Sequence, residues 1–365
     1  MPRLTRPALW IRLSALFLVL TTCPDPAHAV HRRGSASCVS CHVMHESADG
    51  AVVLDASGPL LRGISPSDVC LSCHGSGEHA VFGFDPMTPS PELGGGNFAF
   101  LFEDQINDDR RSSAPVVTGD HAGHSIVAPA HGLYADTDHS TAPGGGFPSG
   151  QLGCTSCHDP HGNANFRMLH GAGPVQDGLF QFVYGAPDAE GLPLGLPGVA
   201  EAPGAHTAYR SGMSNWCANC HGQYHDQTGM SDFQHGFDLM LGSDVSQRYN
   251  EYDGEASPTG GDPLTAYLNQ VPFEDAANSI GLTSGPSADG RVMCLTCHRA
   301  HATSAPAAAR WDMRVHELGI DGVASGSLPL PNPYPDPGQR QLCNKCHDER
   351  HGAQSRQSCY ECHRK

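Results

Sequence analysis

An eight-residue apolar run, LSALFLVL at 13–20, stands out from a chain that otherwise breaks short hydrophobic patches with turns. A basic stretch (Arg3, Arg6, Arg12) precedes it, and Ala27-His28-Ala29 follows with the small-x-small pattern of a cleavage site. Such a run is too short to span a bilayer, so residues 1–29 read as a removable signal peptide, with the mature chain starting at Val30. Lipidation at Cys23 is the variant, although Thr22 is a poor residue before a lipidated cysteine. No later stretch is apolar enough to cross a membrane, and sustained helical or strand periodicity is scarce. The long connections 75–153, 159–216, 222–293 and 299–342 are punctuated by PELGGGN (91–97), APGGGF (142–147), GLPLGLPG (191–198) and LPLPNPYPDPG (328–338). The pattern predicts a mostly irregular fold. Short α-helices are expected around the recurring cysteine pairs and near 264–270 (LTAYLNQ), with few, short strands.

Composition changes that picture in one respect. Gly 43 and Pro 29 together make about a fifth of 365 residues, and aromatics are only 7%. Side chains alone would build a poor core for this length, so something else should fill the interior. Unsupported loops this long are also improbable in a compact domain.

The cysteines supply the filler. Of 15, Cys23 lies in the leader, and the other 14 form seven pairs, each with two intervening residues and each followed at once by histidine. In chain order, Cys38 and Cys41 precede His42, Cys70 and Cys73 precede His74, and Cys154 and Cys157 precede His158. Cys217 and Cys220 precede His221, and Cys294 and Cys297 precede His298. Cys343 and Cys346 precede His347, and Cys359 and Cys362 precede His363. C-x-x-C-H is the attachment phrase of c-type haem. Two thiols reach two vinyl groups on one porphyrin edge, and the next residue presents an imidazole to the iron. Structural zinc has no reason to place histidine after every second cysteine. A redox dithiol occurs once per fold rather than seven times. Residues 30–365 therefore read as one heptahaem domain, compatible with an elongated shape, organised around a covalently attached haem core.

Histidine is in surplus. Seven of 23 are proximal and His28 leaves with the leader, so 15 remain for seven distal positions. Enough exist to close every iron as a six-coordinate, low-spin centre suited to electron transfer. His45, His161 and His301 lie three residues past a proximal histidine, and His225 and His351 four past. On a helical turn such residues share the face of the proximal ring, so they should reach a neighbouring haem rather than their own. His124 (DHAGHS) and His235 (DFQHGFD) are favoured over His121, His139, His206 and His316. His31, His79, His131 and His170 stay undecided. Met44 and Met293 are alternatives, with packing against porphyrin the better use of methionine. His363 is followed only by Arg364 and Lys365, so its distal ligand should come from upstream or from another molecule.

GCTSCHDPHG (153–162), WCANCHGQYH (216–225) and MCLTCHRAH (293–301) resemble the doubled-C-x-x-C-H multihaem cytochromes of the cytochrome c3-like group. The resemblance implies covalent haem, close haem packing and use of His45, His161 and His301 on adjacent haems. Some relatives polymerise into extracellular haem filaments, though not generally with this seven-motif spacing.

The expected function is an exported electron conduit. A rival is a multihaem reductase of a small oxyanion with one open haem, although all seven motifs carry histidine rather than the lysine variant common in nitrite reductases. A further alternative is a subunit of an extracellular cytochrome filament. Removing residues 1–29 takes away three arginines and Asp25, leaving 18 basic against 37 acidic residues, a balance of −19. Such a surface repels nucleic acid and anionic lipid. EDQINDD at 103–109 is acidic but lacks EF-hand spacing, so it reads as a solvated loop. Expected partners are other redox proteins or extracellular electron acceptors, with self-assembly open. The expected location is periplasmic, outer-membrane-associated or extracellular.

Overall fold

A computed structural model describes residues 37–43, 47–48, 51–52, 60–75, 81–82, 94–103, 105–106, 116–175, 178–192, 201–226, 238–313, 315, 332–335, 338 and 340–347. The leader lies outside these residues, as does the whole seventh motif, Cys359, Cys362 and His363. His31, His45, His79, His235, His316 and His351 lie outside them too. Eight short helices are described: α1 Cys38–Cys41, α2 Pro66–His74, α3 Cys154–Cys157, α4 Met213–Ala218, α5 Gly222–Asp226, α6 Gly242–Glu251, α7 Cys294–Cys297 and α8 Arg340–Asn344. Three two-stranded antiparallel sheets accompany them: β1 Ser47–Ala48 with β2 Ala51–Val52, β3 Gly173–Val175 with β4 Phe180–Phe182, and β5 Asp188–Glu190 with β6 Ala208–Ser211. Most of the rest is irregular, as expected. Among the described residues no helix is long and apolar enough to cross a membrane.

Residues 264–270 are a correction. They form turns rather than a helix, and the Tyr267 amide donates to the distant Thr283 carbonyl at 2.8 Å. Tyr267 is buried and stacks 3.6 Å from the His206 ring, so tertiary packing overrides local propensity.

The motifs at 38–42, 154–158 and 294–298 share one backbone build. A four-residue helix runs from cysteine to cysteine, and the following histidine is extended (φ −112°, −110° and −117°). The chain then folds back through paired amide bonds: Val43 to Leu60 and Arg62 to Cys41, Asp159 to Met168 and His170 to Cys157, Arg299 to Ala308 and Arg310 to Cys297, all 2.8–2.9 Å. The returning side chain repeats too. Arg62, His170 and Arg310 bond the carbonyls of Val39, Thr155 and Leu295, the first residue between each cysteine pair, at 2.6, 2.9 and 2.6 Å.

The motifs at 70–74, 217–221 and 343–347 are built differently, on or beside the longer α2, α4 and α8. Helix α2 carries its entire motif, so Cys70, Cys73 and His74 all sit on its last turns. The two kinds of motif dock on each other. Ser67 Oγ of α2 accepts from the Cys154 amide, and Ser214 Oγ of α4 accepts from the Cys294 amide, both at 3.1 Å. Each serine sits three residues before the first cysteine of its motif, so the α2/α3 and α4/α7 units are structural copies.

Apolar packing is divided among three clusters. One gathers Leu71, Phe82, Phe98, Phe100 and Ile106; another Tyr249, Tyr267, Phe273, Trp311 and Leu342; the smallest Tyr209, Met213, Met293 and Leu295. Cys154, Cys217, Cys297 and Cys346 pack at their edges. Helix α2 begins where Pro66 fixes the first turn and Ser65 caps it, accepting from the Asp68 amide at 3.1 Å. The buried Asp68 carboxylate accepts from Ser65 N, Ser65 Oγ and Ala130 N at 3.0, 2.9 and 3.0 Å. Asp68→Ala removes both half of that capping arrangement and the tie to residues 129–131. It should cost about 3 kcal/mol, measured as a lowered denaturation midpoint.

Candidate haem sites

Three of the described proximal rings are aimed from the Nδ1 side. His158 and His298 bond the carbonyls of Arg167 and Ala307 at 2.8 and 2.9 Å, and His221 bonds Pro143 at 2.8 Å. Arg167 and Ala307 have φ of 49° and 60°, the left-handed region that side chains avoid at about 1–2 kcal/mol each. The unfavourable turn swings each carbonyl onto the imidazole. Binding a carbonyl through Nδ1 fixes the tautomer and leaves Nε2 for a metal.

Other histidines face two of these rings, those of His158 and His221, and the proximal ring of His42. His42 and His161 have centroids 6.3 Å apart and planes within 9°. His158 faces His301 at 6.5 Å and 60°, and His221 faces His124 at 6.0 Å and 49°. Two imidazoles each bound about 2 Å from one metal ion place their centroids roughly 6 Å apart. All three pairs therefore have the separation of a bis-histidine iron. The facing rings are anchored alike, His124 Nδ1 on Ala300 O at 2.6 Å and His301 Nδ1 on Gly96 O at 3.3 Å. His301 also stacks on Phe98 at 4.6 Å. Gly96 reaches its carbonyl there with φ of 83°. The helical-face expectation for His161 and His301 needs a change of reason. Helices α3 and α7 stop at the second cysteine, and it is the extended proximal histidine that sends the later one to another ring.

The donors fit haem. The 12 described cysteines are all free of disulfides. Cys38 and Cys73 are exposed and the other ten are partly buried. Cys359 and Cys362 fall outside the described residues, so the seventh pair keeps only its sequence pattern as support. Burial pushes the thiols of Cys157, Cys220 and Cys346 up to about 12 and that of Cys297 to about 11, so these side chains are held as neutral thiols in the folded chain. The thiols of Cys70 and Cys154, and those of Cys217 and Cys294, raise or lower one another's pKa across the docked motifs, so two attachment edges lie side by side.

Residues 147–176 match the family model for the doubled CXXCH motif, and residues 283–364 match that for cytochrome c7 and related cytochrome c. The C-type cytochrome OmcS of Geobacter sulfurreducens is 29% identical over 92% of this chain and 98% of its own. Two solved structures, of OmcS nanowires and of the Outer Membrane Cytochrome S filament from that organism, superpose with TM-scores of 0.70 and 0.71. Each is 26% identical and covers 87% of this chain and 99% of its own. The chain is a doubled-CxxCH multihaem c-type cytochrome.

The remaining described histidines of this cytochrome separate by their ring nitrogens. Both nitrogens of His206 bond carbonyls, of Thr207 and Leu282, and His170 Nε2 is taken by Thr155 O. His121 and His139 pair with Asp138 and Asp136 at the surface. His131 differs: Asp68 Oδ1 holds its Nδ1 at 3.2 Å, the anchored form seen in the facing rings. Sequence alone does not decide His131, and the signal that singles it out is the buried carboxylate rather than its neighbours in the chain. His225 lies on α5, and its side chain is outside the description.

Burial lowers His301 to about 3, with His158 adding to the effect, and lowers His124 to about 4, with His221 adding. His158, His221 and His298 are lowered by burial as well. These rings are neutral at pH 7 and ready to ligate. The unfolded chain takes up these protons below about 6.5 while the folded rings refuse them. Stability is therefore full above pH 6.5 and declines as pH falls toward 4. Thermal melts from pH 7 to 4 should show a steadily decreasing Tm.

Proposed function

We propose that this cytochrome is an exported conduit in which electrons hop along seven covalently attached, mostly bis-histidine haems. The supporting observation is the ladder of facing rings: His161, which follows the 154–158 motif, faces His42 of the 38–42 motif. His301, which follows the 294–298 motif, faces His158 of the 154–158 motif. Each such iron ties one copy of the shared build to the next. Haem supplies the one-electron Fe(III)/Fe(II) couple, and the protein sets order, spacing and potential through ligation, burial and charge. The fourteen motif cysteines, from Cys38 to Cys362, carry the thioethers, and the seven following histidines the proximal bonds. His161, His301 and His124 are distal ligands, His131 joins them, and His45, His225, His235 and His351 remain candidates for the rest.

A filament subunit is the second reading, favoured by His45. His45 follows its motif at the same spacing as His161 and His301 follow theirs, so on the ladder pattern its ring would serve a haem other than its own. A second copy of the chain is a natural holder of that haem, and the OmcS relatives are described as filaments. Partners would then be like subunits at the ends and redox proteins or external acceptors along the sides, placing the protein outside the cell.

Integrated EPR of the oxidised protein tests the conduit. All irons should be low-spin and unchanged by cyanide or nitrite; one high-spin iron in seven that shifts with either ligand would instead make the protein a candidate reductase. Electron microscopy of the native protein tests the filament: His45→Ala should shorten or abolish any fibres while leaving haem content intact.

A further inference from the structure

Lys345 lies between the two cysteines of the sixth motif, CNKCH, and is buried. Its Nζ donates to the carbonyls of Tyr249, Tyr252 and Ala266 at 2.9, 3.0 and 3.2 Å and sits 4.7 Å above the Tyr249 ring. An ammonium has three donors and no acceptor, so three carbonyls satisfy it fully, whereas a neutral amine would leave one of them without a proton. Tyr249 belongs to the last turn of α6 and Tyr252 caps it, where carbonyl dipoles favour a cation. The ring face adds a further attraction. The same slot in the other described motifs holds Ser40, Ser72, Ser156, Asn219 and Thr296, all uncharged.

We propose that Lys345 is a fixed, buried positive charge that raises the reduction potential of the haem held by Cys343, Cys346 and His347 above that of haems with a neutral residue in this slot. The proposal rests on the conduit reading. Covalent attachment on both sides of Lys345 pins its backbone at that porphyrin's edge whatever the distal ligand is. A cation there favours the iron with one positive charge fewer, Fe(II), and in a low-dielectric site salt screens it weakly. Electrons entering the array would collect on this haem, giving the conduit a direction.

The test is a redox titration of purified, haem-loaded Lys345→Met, Lys345→Gln and Lys345→Arg, followed by visible absorption. Gln keeps amide donors for the carbonyl cage and protects against loss of folding. The two neutral variants should move one haem's share of the absorbance change to lower potential, equally at low and high salt, while Arg leaves the profile in place. Superimposable curves for wild type and a fully loaded neutral variant overturn the proposal, and so does an equal shift in all three variants, which marks a purely structural lysine. Failure of the conduit reading looks different: integrated EPR of the wild type would then show a high-spin iron that shifts with cyanide or nitrite, whatever the titration of the Lys345 variants gives.

Discussion

Replacing His301 with alanine should convert the haem of a different motif, the one on Cys154, Cys157 and His158, to high spin. The haem beside His301 in sequence, on Cys294, Cys297 and His298, should stay low-spin. The His301 ring lies 6.5 Å from that of His158, held by Phe98 and the Gly96 carbonyl. Alanine has no atom to reach the iron, so the ferric centre becomes five-coordinate or takes water. EPR should show an axial high-spin signal equal to one iron. His301→Met should restore low spin at a raised potential, because thioether ligation favours Fe(II). A high-spin signal that belongs instead to the 294–298 haem, identified in a Cys294→Ala/Cys297→Ala background, would reverse the ladder.

Preventing haem attachment should abolish folding altogether. With all fourteen motif cysteines replaced by alanine, the chain should give a coil-like far-UV CD spectrum and be degraded by protease at once. The apolar residues of the folded chain fall into three separate clusters, and motif cysteines stand at the edges of each. The longest described helix has only ten residues, below the length at which helices persist alone. Two-stranded sheets of two to four residues per strand are no more independent. A few hydrogen bonds do join clusters, such as Asn278 Nδ2 to the carbonyls of Tyr209 and Phe273, but motif cysteines stand at every cluster edge, where covalently held porphyrin would add the larger part of the buried contact. A cooperative melt in the haem-free chain would contradict this account.

The chemistry was legible because C-x-x-C-H carries its own geometry: two thiols and one imidazole on five residues. Irregularity was legible from the density of Gly and Pro and the lack of periodicity. The assignment of partners was not. His124 is fixed by the Ala300 carbonyl and His301 by that of Gly96, and backbone groups leave no trace in residue identity. The relation among the 38–62, 154–170 and 294–310 segments was equally hidden. Their fold-back bonds are the same, but the intervening loop differs in length, and the returning residue is Arg62, His170 or Arg310. Residues 264–270 misled because local sequence says nothing of remote packing: Tyr267 stacks on His206 and its amide donates to the Thr283 carbonyl.

The ladder also sets a timetable for biogenesis. On the proposed ladder, a chain exported from its N-terminus would receive its first haem at Cys38 and Cys41 early, but that iron would gain its sixth ligand only when His161 arrives, and the haem at His158 would wait in turn for His301. Each porphyrin would then be loaded before it is sealed. During that interval its open face would be reactive toward oxygen and any passing ligand, so on this reading the period of greatest vulnerability falls within the protein's own synthesis, and each completed rung would close it for the copy before.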